Sequence, residues 1–225
     1  MSASLRGIAV QVLSSQWHWS RWGLIPATVG AFTIPVMAVQ GFNDAGASGF
    51  QINLLLLIAA NWAPAYPLLA AGAGMLLGLT AWSADHRGRH VYARSLPISR
   101  MQFVFLRYAA GLVLLLAPVV GLWLGAVVSS ISVDLPIVLR TYPHSLALRF
   151  LLAGVLSYTI FFAVASSTSR VAGAILVIIV AAVALQFFSK LFGLDVDVAS
   201  AVGSASMSWP GPFEIFGGRW MLVDF

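Results

Sequence analysis

Long apolar runs, separated by short charged segments, dominate the pattern of the chain. No charged residue occurs between Arg21 and Asp44, or between Asp44 and Asp85. A helix rises about 1.5 Å per residue, so about 20 apolar residues cross the hydrocarbon core of a bilayer. The pattern therefore predicts five membrane-spanning helices, near 23–42, 53–83 and 108–131, between Arg149 and Arg170, and between Arg170 and Lys190, with a tight turn at 166–170.

The second run is too long for one simple crossing, and it contains Asn61, Pro64 and Pro67. Proline removes a backbone donor and clashes with the preceding turn, so we expect an interruption there. A tilted, kinked helix and a functional hinge both explain the prolines, and proline is common in membrane helices. The far end of this helix could also project beyond the bilayer.

Two further segments flank the predicted spans. Residues 1–22 place apolar side chains on one helical face and add tryptophans, which favour the interface, so they predict an amphipathic helix on the inner membrane surface. The face comprises Leu5, Ile8, Val12 and Gln16, and the tryptophans are Trp17, Trp19 and Trp22. Residues 191–225 are rich in Gly, Ser and Pro and predict an outer loop with short interfacial helices, not a sixth span.

Composition indicates the same class of protein. Hydrophobic residues make up 60% of the chain and charged residues 8%, whereas soluble domains carry about a quarter charged residues. The predicted fold class is all-α, a polytopic integral membrane protein with one transmembrane domain over 1–225 whose spans lie within 23–190. With no cysteine, the chain has no disulfide, thiolate metal site or cysteine nucleophile. Its net charge of +5 forms no basic stripe with interleaved aromatics, so we expect no nucleic-acid partner.

Positive charge is concentrated in residues 81–109, which hold five arginines. Cytoplasmic loops of membrane proteins are enriched in Lys and Arg. With the N-terminus in the cytoplasm, eight of the twelve basic residues lie inside, and Asp85 is the one acid that lies there with them. The charge distribution therefore predicts a cytoplasmic N-terminus.

The end of this basic segment, SLPISRMQF, has the features of a helix start. Pro97 blocks any preceding helix, Ser99 is a good N-cap, and Gln102 completes a capping box with it. The third span should therefore begin near Arg100, before it enters the bilayer. Residues 90–96 can form a short helix, so the segment is either a rigid contact for a soluble partner or a charged turn with ordinary capping.

Residues 85–100, DHRGRHVYARSLPISR, resemble the cytoplasmic loop of ABC-2 type transporter permeases. Those proteins carry an acidic residue and a glycine, then a short helix that ends in a Leu-Pro-hydrophobic-Ser-Arg segment before the third span. In that family the loop is the coupling helix, which sits in a groove of the ATP-hydrolysing subunit. The resemblance implies that the contact residues are Gly88, Tyr92, Arg94, Ser95, Leu96, Pro97, Ile98, Ser99 and Arg100.

The wider layout is also similar to that family, although its members have six spans per subunit against the five predicted here. The resemblance implies a permease subunit of an ATP-driven exporter in a bacterial inner membrane, surrounded by lipid. It would pair with an identical or homologous half and with ATPase subunits. Those subunits would bind ATP and Mg, because this chain has no Walker-type motif and is not itself expected to be an enzyme. The rival interpretation is a membrane anchor or assembly subunit that transports nothing.

Polar side chains are sparse in the predicted spans. An apolar or amphipathic cargo, such as a drug or lipid, fits such spans better than a bare ion. The candidates for a substrate pathway are Asn53, Asn61 and Gln186.

Two other patterns in the sequence are weak. The stretch Gly46–Gly49 has the form of an intramembrane serine protease motif, but no predicted span supplies a histidine base, so a turn is the better interpretation. His86 and His90 stand one helical turn apart with no third ligand except Asp85, so we expect no metal site.

Overall fold

The computed structural model describes residues 2–44, 57, 60–83, 99–133, 139–167, 177, 181, 211, 213–217 and 219–224. Within them lie four long helices: α1 (Ser2–Asp44), α2 (Ala65–Ala81), α3 (Arg100–Ile131) and α4 (Pro143–Ser166). Two short strands, β1 (Arg140–Thr141) and β2 (Val223–Asp224), pair antiparallel. A turn of 3-10 helix covers Glu214–Phe216. The described fold is helical, as predicted, apart from this small ladder.

Four of the described helical segments are long and apolar enough to cross a membrane: Arg6–Gln40, Ala60–Ala81, Met101–Ile131 and Pro143–Ser166. They overlap the first four predicted spans, and they fit an integral membrane protein. The last of them begins before Arg149, so that arginine lies inside α4. Of the fifth predicted span, the structure describes Val177 and Ala181, both helical, and the rest lies outside the described residues.

Helix α1 runs without a break across residue 22, where a surface helix was predicted to give way to a span. Its predicted apolar stripe packs against α3. Val12 is buried in a cluster with Phe103 and Ala110, and Ile8 and Leu13 pack against that cluster. An apolar stripe at helical spacing suits either a membrane surface or another helix. From residue 8 onward the stripe is a helix–helix contact, and an amphipathic helix on the inner membrane surface stays a prediction.

The predicted interruption of the second run is present. Residues 60–62 are helical, Ala63 and Pro64 form a turn, and α2 begins at Ala65. The Ala63 amide donates to the Ala60 carbonyl at 3.1 Å, which closes the turn. Pro67 lies in the first turn of α2, where the amide of any residue would lack a partner within the helix. The prolines therefore separate residues 60–62 from α2.

Glycines allow α1 and α3 to approach backbone to backbone. A Cβ atom added at Gly121 would lie 2.9 Å from the carbonyl oxygen of Thr28, and one at Gly125 would collide with the carbonyl of Phe32. Both contacts advance by one helical turn in the same direction, so α1 and α3 run parallel. Small residues four apart are a common means of close packing between membrane helices.

Helices α2 and α4 use a second glycine pair in the same way. A Cβ at Gly74 would lie 2.6 Å from the carbonyl oxygen of Gly154, and one at Gly78 would lie 2.8 Å from the backbone nitrogen of Phe162. Both glycine pairs therefore serve packing within the subunit.

The core of the helices is apolar and aromatic. Leu77, Leu115 and Tyr158 are fully buried. Each comes from a different helix, so the cluster joins α2, α3 and α4, and Leu24 adds α1 to it.

The end of the chain forms an extended segment beside the start of α4. Arg140 pairs with Asp224 and Thr141 with Val223. Trp220 and Leu222 are buried there. Among the described residues of 191–225, helical structure is confined to Glu214–Phe216. Val223 and Asp224 pair with β1, which satisfies backbone groups that would otherwise be left open, and the outer loop with short interfacial helices stays a prediction.

The chain divides into two compact units, residues 1–165 with 219–225, and residues 166–218. The first holds α1, α2, α3, nearly all of α4 and the ladder. In the described part of the second unit, the rings of Phe213 and Phe216 lie 6.3 Å apart across the 3-10 turn. All side-chain clusters described below belong to the first unit.

Candidate functional site

The residues predicted to contact an ATPase fall at the edge of the described chain. Ser99 and Arg100 are described, and they form the N-cap and the first residue of α3. The other members of that set lie outside the described residues: Gly88, Tyr92, Arg94, Ser95, Leu96, Pro97 and Ile98. Of the predicted pathway residues, Asn53 and Gln186 also lie outside them, and Asn61 is exposed.

The capping box at the start of α3 is confirmed. The Ser99 hydroxyl accepts a hydrogen bond from the Gln102 backbone amide at 3.2 Å, and the Gln102 side-chain oxygen accepts one from the Ser99 amide at 3.2 Å. Ser99 itself has extended backbone angles, φ −67° and ψ 151°. These bonds satisfy amides that a helix start leaves unpaired, and they fix the direction in which the chain enters α3.

Arg107, one of the five arginines, is buried. Arg107 is 5% exposed, and its guanidinium carbon lies 4.9 Å from the ring centre of Trp82 and 4.7 Å from that of Phe103. A guanidinium between two aromatic faces is attracted by their negative faces. Trp82 caps the end of α2 and Phe103 lies in the first turn of α3. Arg107 therefore joins the two helix ends that flank residues 84–98.

Aromatic contacts tie α4 to the same place. The Tyr158 hydroxyl donates to the Tyr108 carbonyl at 3.1 Å, and the two rings stack at 5.2 Å. The Tyr108 hydroxyl is 2.8 Å from the Thr159 hydroxyl. A Cβ at Gly111 would collide with the Tyr158 hydroxyl, so the glycine leaves room for this bond. Arg107, Trp82, Phe103, Tyr108, Tyr158 and Phe162 are called the Arg107 cluster below.

Helix α1 contributes a buried amide to the edge of the Arg107 cluster. Gln16 is 4% exposed, and its side chain lies beside the Tyr158 hydroxyl without meeting hydrogen-bond geometry. Among the described residues, neither its nitrogen nor its oxygen has a hydrogen-bond partner. The indole nitrogen of Trp82 has none there either. Buried polar atoms without partners are uncommon and costly in native proteins.

A second polar cluster braces the opposite end of the helices. The Arg149 side chain donates to the Arg219 carbonyl at 2.7 Å and lies 5.0 Å from the Trp220 ring centre. Arg219 forms an ion pair with Asp224 at 3.1 Å. These contacts hold the 219–224 segment against α4 and β1. They explain the burial of Trp220 and need no ligand.

The described residues contain no group of three or more His, Asp or Glu placed to hold a metal ion. The Trp123 indole donates to the His144 Nδ1 at 3.0 Å. That bond occupies one of the two ring nitrogens of His144, the one histidine of α4.

Sequence reasoning identified the helix cap but not the Arg107 cluster. It grouped Arg107 with four other arginines as loop charge, and it counted Gln16 as one more position on an apolar stripe. The signal for Gln16 was present, since an amide stands in line with Ile8 and Val12 at helical spacing. Arg107 and Trp82 lie 25 positions apart in the chain, on different helices.

No family model, curated protein or solved structure matches the chain. The likeness of residues 85–100 to the loop of ABC-2 permeases therefore rests on the sequence motif and on the cap that follows it.

Proposed function

We propose that the chain is the transmembrane permease subunit of an ATP-driven exporter of the ABC-2 type, which moves an apolar or amphipathic substrate. The observation that carries the proposal is the capped start of α3. The capping box stands at the end of the Leu-Pro-Ile-Ser-Arg segment, at the place where that family has its coupling helix.

The Arg107 cluster gives this proposal a mechanical basis. A push on residues 84–98 reaches the bundle through Ser83 and Ser99, the residues on either side. Arg107 holds Trp82 and Phe103 together, so the end of α2 and the start of α3 move as one piece. Tyr158 extends that piece to α4 through its bond to the α3 backbone. A displacement of the loop would therefore shift three helices together and not one.

The other subunits of the proposed transporter are separate chains. A second permease half, identical or homologous, completes the pathway. Separate ATPase subunits bind ATP and Mg, since this chain carries no Walker-type motif. Five spans, a cytoplasmic N-terminus and a bacterial inner membrane complete the proposal. They follow from the apolar runs, from the positive-inside rule and from the family resemblance.

The nature of the cargo is inferred from the spans. Exposed side chains along α3 are large and apolar, including Phe105, Val113 and Val120. Arg107 and Arg149 lie near the starts of α3 and α4, and Arg21 lies near the middle of α1; all three are engaged with aromatic rings. Charged groups are costly at membrane depth and mark the pathways of ions. Residues 65–81, 108–131 and 150–166 of α2, α3 and α4 carry no charge, which favours an apolar or amphipathic cargo.

The test is a pair of loop variants, assayed for association with the ATPase and for coupled ATP hydrolysis. Leu96→Asp keeps all five arginines, and acids contribute little to orientation, so topology and expression should be retained. It places an unpaired charge on the surface expected to enter the ATPase groove, where burial is costly. We expect it to release the ATPase or to abolish coupled hydrolysis.

The matched control is the double variant Arg94→Lys with Arg100→Lys. It preserves charge but removes the planar guanidinium groups that form bidentate pairs with carboxylates. Its defect should be milder than that of Leu96→Asp. If Leu96→Asp keeps full ATPase association and transport, the loop is not the surface that binds the ATPase. If no ATPase accompanies the wild-type chain at all, the rival interpretation, a membrane anchor or assembly subunit, takes its place.

A further inference from the structure

We propose that Gln16 and Trp82 form a binding site for an uncharged hydroxyl group inside the helix bundle. The site lies where α1 meets the ends of α2 and α4, beside the Arg107 cluster. It is independent of the ATPase and of the residues proposed to contact it.

The placement of the two side chains follows from the register of the helices. Gly23 of α1 lies against Leu76 of α2, and Gly30 lies against Leu69. The two helices are therefore antiparallel, and the same register continued toward the start of α1 brings Gln16 level with the end of α2 at Trp82. Tyr158, which lies beside Gln16, belongs to the same buried cluster as Trp82.

The burial of these groups shows that bulk water does not satisfy them. Gln16 is 4% exposed and Trp82 is 8% exposed. Three polar atoms, Nε2 and Oε1 of Gln16 and Nε1 of Trp82, have no partner among the described residues. Ser20, one turn further along α1, donates its hydroxyl hydrogen to the Gln16 backbone carbonyl at 2.8 Å, so it has none left for Oε1 of Gln16. The neighbouring Tyr158 hydroxyl donates to the Tyr108 carbonyl and likewise has no hydrogen left for Oε1.

The unsatisfied atoms define the chemistry of what fits. Gln16 offers donors on its nitrogen and an acceptor on its oxygen, and Trp82 offers a donor. An anion can accept from both donors but leaves Oε1 of Gln16 without a hydrogen. A cation can donate to Oε1 but leaves both donors unpaired, and it lies near the guanidinium of Arg107. A hydroxyl group both donates and accepts, so one such group can serve Gln16 and Trp82 together.

The surroundings restrict the rest of the ligand. The walls are aromatic and aliphatic: Trp82, Tyr158 and Phe162 belong to one buried cluster with Leu24, Leu77 and Leu115. Two sources of a hydroxyl group suit such a site. One is an ordered water molecule, which in proteins commonly bridges buried polar groups of this kind. The other is the alcohol of an amphiphile whose apolar tail lies among the helices. The second source, taken as cargo, rests on the proposed function; binding itself does not.

The experiment uses the full chain purified in a detergent without hydroxyl groups, such as dodecylphosphocholine. The first arm measures the melting temperature against increasing 1-decanol, with decane as the reference for the apolar tail. A ligand that binds the folded state raises the melting temperature progressively with its concentration. The second arm records nuclear Overhauser contacts between water and the side-chain N–H groups of Gln16 and Trp82.

Three variants give the comparison. Gln16→Leu removes the amide but keeps the volume close. Trp82→Phe removes the indole N–H and keeps a ring beside Arg107, so it serves if Gln16→Leu does not fold. Gln11→Leu is the matched control, because Gln11 lies on the same helix and is exposed.

The outcomes separate the two sources. Stabilisation by decanol beyond decane, lost in Gln16→Leu and retained in Gln11→Leu, identifies the alcohol of an amphiphile. No such stabilisation, together with water contacts to Gln16 and Trp82 in the wild type and loss of the contact to the Trp82 indole N–H in Gln16→Leu, identifies ordered water. The proposal is overturned if neither signal is present in the wild type, or if the stabilisation by decanol or the water contact of Trp82 survives unchanged in Gln16→Leu. Failure of the proposed transport function leaves every one of these readings unchanged.

Discussion

Replacing Gly74 by alanine tests the packing of α2 against α4. The added Cβ would lie 2.6 Å from the Gly154 carbonyl oxygen, 2.7 Å from the Tyr158 backbone nitrogen and 2.8 Å from the Ser157 Cβ. Two of these are backbone atoms, which cannot rotate away, so the helices must move apart. Gly72 on the same helix is the matched control, since a Cβ there meets nothing within 4 Å.

The expected difference follows from three terms. Both substitutions gain the same helix propensity, about 1 kcal/mol at most, so that term cancels. Overpacking a tight contact costs about 1–3 kcal/mol. Moving α4 away also strains the bond of 2.8 Å from the Ser157 hydroxyl to the Ala71 carbonyl, and hydrogen bonds between membrane helices average about 0.6 kcal/mol. Gly74→Ala should therefore be about 1.5–3.5 kcal/mol less stable than Gly72→Ala.

The assay is reversible unfolding in mixed micelles, titrated with sodium dodecyl sulfate and followed by circular dichroism and tryptophan fluorescence. Helices largely persist in the unfolded state of such titrations, so the signal reports the loss of packing between helices. Equal stability of the two alanine variants would refute the close approach of α2 and α4, and with it the use of the Gly74 and Gly78 pair within the subunit.

Three further predictions concern the cap, the brace and the topology. Ser99→Ala removes the capping hydroxyl and lowers the stability of the start of α3 by about 0.5–2 kcal/mol. ATP hydrolysis coupled to transport should weaken, while insertion into the membrane stays near normal. Loss of insertion would mean that the segment serves only to set the topology. Arg149→Met removes the bond to the Arg219 carbonyl, so buried Leu222 should become more accessible. A cysteine at position 222 should therefore react faster with a maleimide in Arg149→Met than in the protein that keeps Arg149. An unchanged rate would contradict the role of Arg149 in holding residues 219–224 in place. A cysteine at Ser204 should label from outside intact cells and one at Gly88 should not; the reverse pattern contradicts the orientation.

The features that could be predicted from the sequence are local ones. The cap at Ser99 needs a serine, a glutamine three positions later and a proline before them, and all stand within six residues. The interruption at Pro64 follows from one missing amide and one steric clash. Membrane-spanning character depends on the length of apolar runs, which is also read along the chain.

The features that were missed depend on distant residues. The ladder joins Arg140 and Thr141 to Val223 and Asp224 through two residue pairs, too short for any alternation to mark it. The apolar stripe of α1 suits a bilayer surface and a neighbouring helix equally well, and its contact with Phe103 and Ala110 of α3 cannot be read along the chain. A basic residue in a basic segment is expected to face water. Arg107 is buried because Trp82, from another helix, covers its second face.

The most direct test of the proposed function places a photo-activated crosslinking amino acid at Leu96 in living cells of the native host. After illumination, the captured partner is identified by mass spectrometry, with the same crosslinker at Ser204 as the reference on the other side. We expect Leu96 to capture a protein that carries a Walker motif, and Ser204 to capture none. Capture of lipid alone at Leu96, or of a partner without a nucleotide-binding motif, would contradict the coupling of this chain to an ATPase.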